Sequence, residues 1–239
     1  MKNTCLLLIV SFIFLTQATR GNIRQFTDLI KNLPSTDTIS RGKFTLIFID
    51  HSTGFDPRTR QRMIDAFFTV YPQEARRFNP HTLDKVVFLI DPTYEGVAET
   101  GNGTCRYNPR WLQTHPEDID VVTHEVMHIV QDYRRGGPGW LTEGIADYVR
   151  YVYGVNNAKG KWTLPDYRSS QRYTNAYRIT ARFLLWIEKY KNRQLVDRLD
   201  AAMRDGKYSP SLWETLTGET VDGLWTEYGG NPALSLTYH

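Results

Sequence analysis

Cysteine is nearly absent from this chain of 239 residues, which has two. Cys5 lies in an apolar run at the start, so only Cys105 remains if that run is removed as a leader. A lone cysteine excludes an intrachain disulfide and any cysteine-rich metal site. About 220 residues can bury a sizeable single core without a cross-link, and Cys105 is expected to be a buried, inert thiol. Charge of one sign is also lacking: the 29 basic and 26 acidic residues are interspersed. The formal charge of +3 falls to +2 once Lys2 leaves. Nucleic-acid binding, which needs a concentrated basic patch, is not expected. The one long apolar run, residues 5–15, is too short for a comfortable membrane span. Lys2 precedes it and Thr16-Gln17-Ala18 follows it. Residues 1–18 therefore read as a secretory signal, with the mature chain starting near Thr19 and exported to a periplasmic or extracellular space. No stable membrane insertion is expected afterwards. Internal repeats, low-complexity linkers and a domain boundary are all missing, so residues 19–239 are read as one domain, expected to be monomeric.

What is present is concentrated in the middle. His124-Glu125-Val126-Met127-His128 reads H-E-x-x-H. Residues four apart lie one above the other on a helix face, so both imidazoles can reach one metal ion. Glu125 lies about 100° further round, where its carboxylate can approach a water beside the metal as a base. A catalytic zinc site usually takes three protein ligands, with water in the fourth position. Downstream comes Trp140-Leu141-Thr142-Glu143-Gly144-Ile145-Ala146-Asp147-Tyr148. Glu143 and Asp147 are again four apart. Residues 134–139, rich in glycine and holding Pro138, should end any helix between the two pairs. The simplest picture is two helices folded back on each other, with His124, His128 and Glu143 meeting at one point. Asp147 is then placed to accept the N–H of a ligand histidine. A buried imidazole pair is hard to satisfy without a metal.

The rest of the chain divides into strands followed by helices, which suits one α+β catalytic domain. Residues 22–33 predict a short amphipathic helix, and residues 43–50 and 86–90 predict strands. Residues 57–71 predict a helix. Residues 97–100 and 104–107 predict a hairpin around Gly101-Asn102-Gly103, where Asn102 also begins a glycosylation sequon. The metal helix is expected over residues 116–133. Residues 154–170 predict a long loop that rims the site, and residues 171–191 a helix. Three shorter helices follow, over residues 195–203, 211–216 and 221–228. His51 and His81 sit near element ends and read as solvated residues rather than ligands.

On these motifs the chain resembles the gluzincin metallopeptidases: H-E-x-x-H on one helix, then E-x-x-x-D on the next. More narrowly, H-E-V-M-H-I-V-Q followed by G-P-G-W-L-T-E-G-I-A-D-Y-V-R resembles the basic secretory protein family of plant and bacterial peptidases. The likeness runs from about Lys43 to about Glu188. It implies a zincin-like fold, with a small mixed N-terminal sheet before a helical half. It implies Zn2+ on His124, His128 and Glu143, Glu125 as general base, and Asp147 holding His124. The resemblance implies peptide or protein substrates. It makes Val97, Ala98, Glu99 and Thr100 an edge strand that binds substrate backbone, the alternative being a plain hairpin. It also calls for a side-chain donor to the oxyanion. Tyr177 is the first candidate and Tyr173 the second, with Arg178 and Arg182 behind them; core packing is the alternative for both tyrosines. Two other readings stay open: a binding or defence protein that keeps zinc for structure, and a zinc hydrolase acting on a cell-wall or glycan-linked substrate.

Overall fold

The computed structural model describes residues 35–133 and 137–239. The expected signal, residues 1–18, and the helix expected over residues 22–33 lie outside the described residues. Strand β1 (Ser35–Arg41) pairs antiparallel with β2 (Phe44–Asp50). Helix α1 (Pro57–Arg77) then leads to β3 (Lys85–Ile90), which lies parallel to β2. The hairpin β4 (Ala98–Gly101) and β5 (Thr104–Tyr107) follows, with β5 parallel to β3. The order across the sheet is β1-β2-β3-β5-β4, so β4 is an edge. Six longer helical elements succeed the short α2 (Pro109–Thr114): α3 (Val121–Gln131), α4 (Gly139–Tyr153), α5 (Tyr177–Tyr190), α6 (Leu195–Arg204), α7 (Ser211–Thr217) and α8 (Val221–Gly230). This is a mixed α+β architecture with a small mixed sheet and helices, as the sequence predicts.

Alternation explains the sheet. Phe44, Leu46 and Phe48 of β2, and Val86, Phe88 and Ile90 of β3, point to one buried face. Met63, Phe67, Val70 and Tyr71 of α1 cover it, with Phe67 edge-on to Phe88 at 5.5 Å. Cys105 is a buried free thiol in β5, and its burial pushes its pKa well up. Strand β1 escapes a sequence reading because Ile39 is its only large apolar residue and most of it is exposed. Helix α1 runs on beyond residue 71 through Pro72. The turn beyond the proline is held by buried Ala75 and by Phe78, whose N–H bonds Glu74 O.

Helix α3 is shorter than expected. Its start is set by Asp120, whose buried carboxylate accepts from the backbone N–H groups of Val155 and Asn156 and from Thr123. Asp118 is drawn away to Trp111 Nε1 and Arg150. Its end is Asp132, in the left-handed region at φ 43°. Helices α7 and α8 each bring a tryptophan to the helical half, where Trp213 and Trp225 pack on Phe183 at 6.4 and 5.1 Å.

Helix α4 lies between α3 and α5. A Cβ on Gly144 would fall inside van der Waals contact with Thr180 Cγ2 of α5. Thr180 cannot simply turn aside, since its hydroxyl donates to Tyr173 O at 2.5 Å. Gly144→Ala should therefore destabilise the protein by about 1–2 kcal/mol, overpacking outweighing the better helix propensity of alanine. Urea unfolding midpoints measure this, and an unchanged or raised midpoint would contradict the close α4–α5 contact.

Candidate metal centre

The site is assembled where α3, α4 and β4 meet the start of α5. His124 and His128 project from one face of α3, and Glu143 reaches them from the second turn of α4. His124 Nε2 lies 3.2 Å from His128 Nε2 and 3.2 Å from Glu143 Oε2, and His128 Nε2 lies 3.6 Å from the same oxygen. These three residues form a metal-capable group whose ligand atoms all lie within 4.8 Å of one another.

The hydrogen bonds behind the imidazoles fix their tautomers. His124 Nδ1 is 2.8 Å from Asp147 Oδ1, an acceptor, so Nδ1 carries the hydrogen. His128 Nδ1 is 2.7 Å from Gln131 Oε1. Gln131 Nε2 donates to Thr142 O at 3.0 Å, which turns the amide oxygen toward His128. In the neutral rings both Nε2 atoms therefore bear lone pairs, and the two point at one another beside a carboxylate. That arrangement calls for a cation. Tetrahedral zinc with bonds of about 2.0–2.1 Å spaces its ligand atoms by about 3.3 Å, close to the distances seen here. The donor set fits zinc, and no other group of this kind occurs among the described residues.

Electrostatics agree with the geometry. Burial pushes the His124 pKa down, but Asp147, Glu143 and Glu125 together outweigh it and raise it to about 10. Burial favours the neutral form of Glu143, yet the two histidines hold its pKa well below the usual carboxylate range. Without metal, this raised pKa favours a proton on His124 as the cation.

Glu125 is buried beside this group, and the Thr100 hydroxyl on β4 donates to its Oε2 at 2.6 Å. The same hydroxyl lies 3.1 Å from Glu125 O, tying the edge strand to α3. A cleft of about 1120 Å³ opens over these groups, lined in part by Val97, Ala98, Glu99, Thr100, Tyr177 and Arg178. The hairpin begins one residue later than expected, at Ala98. Asn102 is exposed at its tip in the left-handed region, φ 49°.

The tyrosines part company. The sequence predicts one helix over residues 171–191, with Tyr173 and Tyr177 on one face. Instead a 3-10 turn (Tyr173–Asn175) precedes α5. Between them Ala176 takes φ 63°, ψ −171°, a region nearly confined to glycine, and Tyr177 follows at φ 49°. This break swings Tyr177 into the cleft, where its ring stacks on that of His124 at 6.1 Å. The charge of Glu143, and then burial, raise the Tyr177 pKa, which keeps its hydroxyl a donor. Tyr173 turns away: its hydroxyl donates to Asp222 at 2.8 Å and its ring packs on Trp140 and Phe183. Arg182 is buried and pairs with Asp166 at 3.0 Å, so it too stands apart from the cleft lining among the described residues. His51 and His81 are exposed and outside the group. Sequence reasoning missed Gln131 and the bond from Thr100 to Glu125. Gln131 was findable, being three residues after His128 on the same helical face.

A family model described as a peptidase of plants and bacteria matches residues 18–228. The chain belongs to this family, the basic secretory proteins. No curated protein matches it. Among solved structures it is similar to a substituted M1 zinc metallopeptidase from Deinococcus radiodurans bound to a Tyr-Ser-Ala substrate, at 13% identity and a TM-score of 0.49, over 87% of this chain and 54% of that one. It is also similar to a two-domain M1 zinc metallopeptidase bound to L-tryptophan, at 15% identity and a TM-score of 0.44, over 84% of this chain and 49% of that one. The chain thus spans about half the length of these structures.

Two outcomes are expected of this basic secretory protein. Asp147→Asn or Gln131→Met should weaken zinc binding by about 10- to 100-fold, as losing a partner of a ligand histidine does. Competition with a chelator of known affinity measures it, and unchanged affinity would contradict the orienting roles. Because Asp147, Glu143 and Glu125 raise the pKa of metal-free His124 to about 10, zinc uptake near neutral pH should release a proton. Calorimetry in buffers of different ionisation enthalpy reads the release, and none would contradict His124 as a ligand.

Proposed function

We propose that this protein is an exported, gluzincin-type zinc metallopeptidase, with residues 1–18 as its signal and residues 19–239 as its zincin-like catalytic domain. The observation that carries the reading is the meeting of His124, His128 and Glu143, with the Glu125 carboxylate beside them in a cleft bordered by an edge strand. Zinc bound by these three residues supplies Lewis acidity toward the scissile carbonyl and makes a nearby water easier to deprotonate.

The chain's own groups do the rest. Glu125 accepts the proton of the attacking water and delivers it to the leaving amine. Thr100, by donating to Glu125 Oε2, leaves Oε1 as the basic oxygen. As the edge of the sheet, β4 receives an extended peptide by strand addition, which aligns the substrate. Tyr177 donates to the oxyanion, and the strained turn at Ala176 and Tyr177 holds it there. Asp147 and Gln131 keep both ligand imidazoles in the tautomer that presents Nε2.

Glu125→Gln should retain one zinc per chain and lose nearly all turnover of a peptide library. Tyr177→Phe should keep zinc and lower kcat by about 100-fold, the loss of one oxyanion donor. Metal analysis alongside peptide cleavage checks both. Full activity in the first variant would remove Glu125 as base, and full activity in the second would remove Tyr177 as donor.

A further inference from the structure

The charges on the cleft wall are unevenly satisfied. Each carboxylate lining it already has a partner. Glu99 meets Arg106 at 3.0 Å and Glu117 meets Arg62 at 2.7 Å. Asp118 is held by Arg150 and Trp111, and Asp147 by His124. Glu143 faces both imidazoles and Glu125 takes the Thr100 hydroxyl. The cations divide differently. Arg150 is committed to Asp118 and lies over the Trp162 ring. Lys161 and Arg178 line the same cleft, both exposed, and neither has a carboxylate partner among the described residues.

These two cations share one wall. Arg178 Nη1 donates to Thr163 O at 3.3 Å, which draws the guanidinium to the segment that carries Lys161. Arg178 directly follows Tyr177, whose ring stacks on His124. Lys161 sits at φ 53°, a conformation uncommon for a residue with a side chain. The result is a cationic lip one residue from the group placed to hold the oxyanion.

We infer that the cleft selects substrates carrying a carboxylate near the scissile bond, received by Lys161 and Arg178. The inference rests on the metallopeptidase reading above. The carboxylate has two possible sources, an Asp or Glu side chain or the free C-terminus of the peptide. Both cations are solvated, so the gain is modest and screened by salt.

The test uses the zinc-loaded full protein and quenched fluorescent peptides. Glu, Gln or Lys is placed at each position around one cleavable bond, and every peptide is made as free acid and as amide. The expected result is a kcat/KM preference on the order of tenfold for the carboxylate form. A Glu-over-Gln preference identifies the side chain, and an acid-over-amide preference identifies the C-terminus. The preference should shrink as salt rises from about 0.05 to about 0.5 M. It should invert toward Lys in Lys161→Glu/Arg178→Glu. Lys161→Gln and Arg178→Gln singly serve if the double variant does not fold, and the wild-type ratios need no variant. Equal rates in all arms, or a preference that survives loss of both cations, would overturn the inference. Binding of the same peptides to zinc-loaded Glu125→Gln separates the two readings. Carboxylate-dependent binding with no cleavage by the wild type would refute the peptidase and leave the cationic lip standing. Cleavage without carboxylate dependence would refute the lip alone.

Discussion

Two imidazole lone pairs and a carboxylate, facing one another across 3.2–3.6 Å in a partly buried cleft, repel unless a cation lies among them. Much of the structure can be understood as holding that arrangement in place. Asp147 and Gln131 occupy the two Nδ1–H groups, so neither ring can flip its tautomer to escape. Gln131 is itself pinned by Thr142 O, one residue before Glu143. Glu143 on α4 and Gln131 on α3 are thus coupled through a single backbone carbonyl. The raised pKa of His124 favours a proton that relieves the conflict in the metal-free chain, the place a metal would take.

Packing carries this local conflict outward. Gly144, beside Glu143, lets α4 approach Thr180 of α5, and Thr180 in turn holds the carbonyl of Tyr173. The chain then passes through Ala176 and Tyr177, both at positive φ, before α5 begins. A break of this kind costs on the order of 1–3 kcal/mol per residue and persists only when its surroundings impose it. Here it turns one tyrosine into the cleft and leaves the other in an aromatic core with Trp140, Phe183 and Trp225. On the opposite flank, Thr100 joins the edge of the sheet to the main chain and side chain of Glu125. Sheet edge, α3 and α5 are each linked to the site by few, specific contacts.

The legible parts of the site were those set by helical spacing. His124 with His128, and Glu143 with Asp147, share a helical face by arithmetic alone, and the Gly-rich turn fixed the hairpin. Parts set by distant partners were not legible. Asp120 stops α3 from starting earlier because it binds amides at Val155 and Asn156, which local sequence does not announce. The Tyr173–Tyr177 face vanished because Ala176 adopts a conformation that its side chain disfavours. Strand β1 forms by pairing with β2, although its sequence offers little to bury. Thr100 is legible as part of the edge strand, but its bond to Glu125 depends on how the fold sets β4 against α3.

Zinc K-edge X-ray absorption on the zinc-loaded protein tests the central claim most directly, since it reads the donors themselves. The account predicts one zinc per chain, two imidazoles at about 2.0 Å and carboxylate and water oxygens at about 2.0–2.2 Å, with no sulfur. In the Glu143→Ala protein the carboxylate contribution should be gone. A sulfur shell, a single imidazole, or a protein that takes up no metal would contradict the arrangement of His124, His128 and Glu143 on which this account stands.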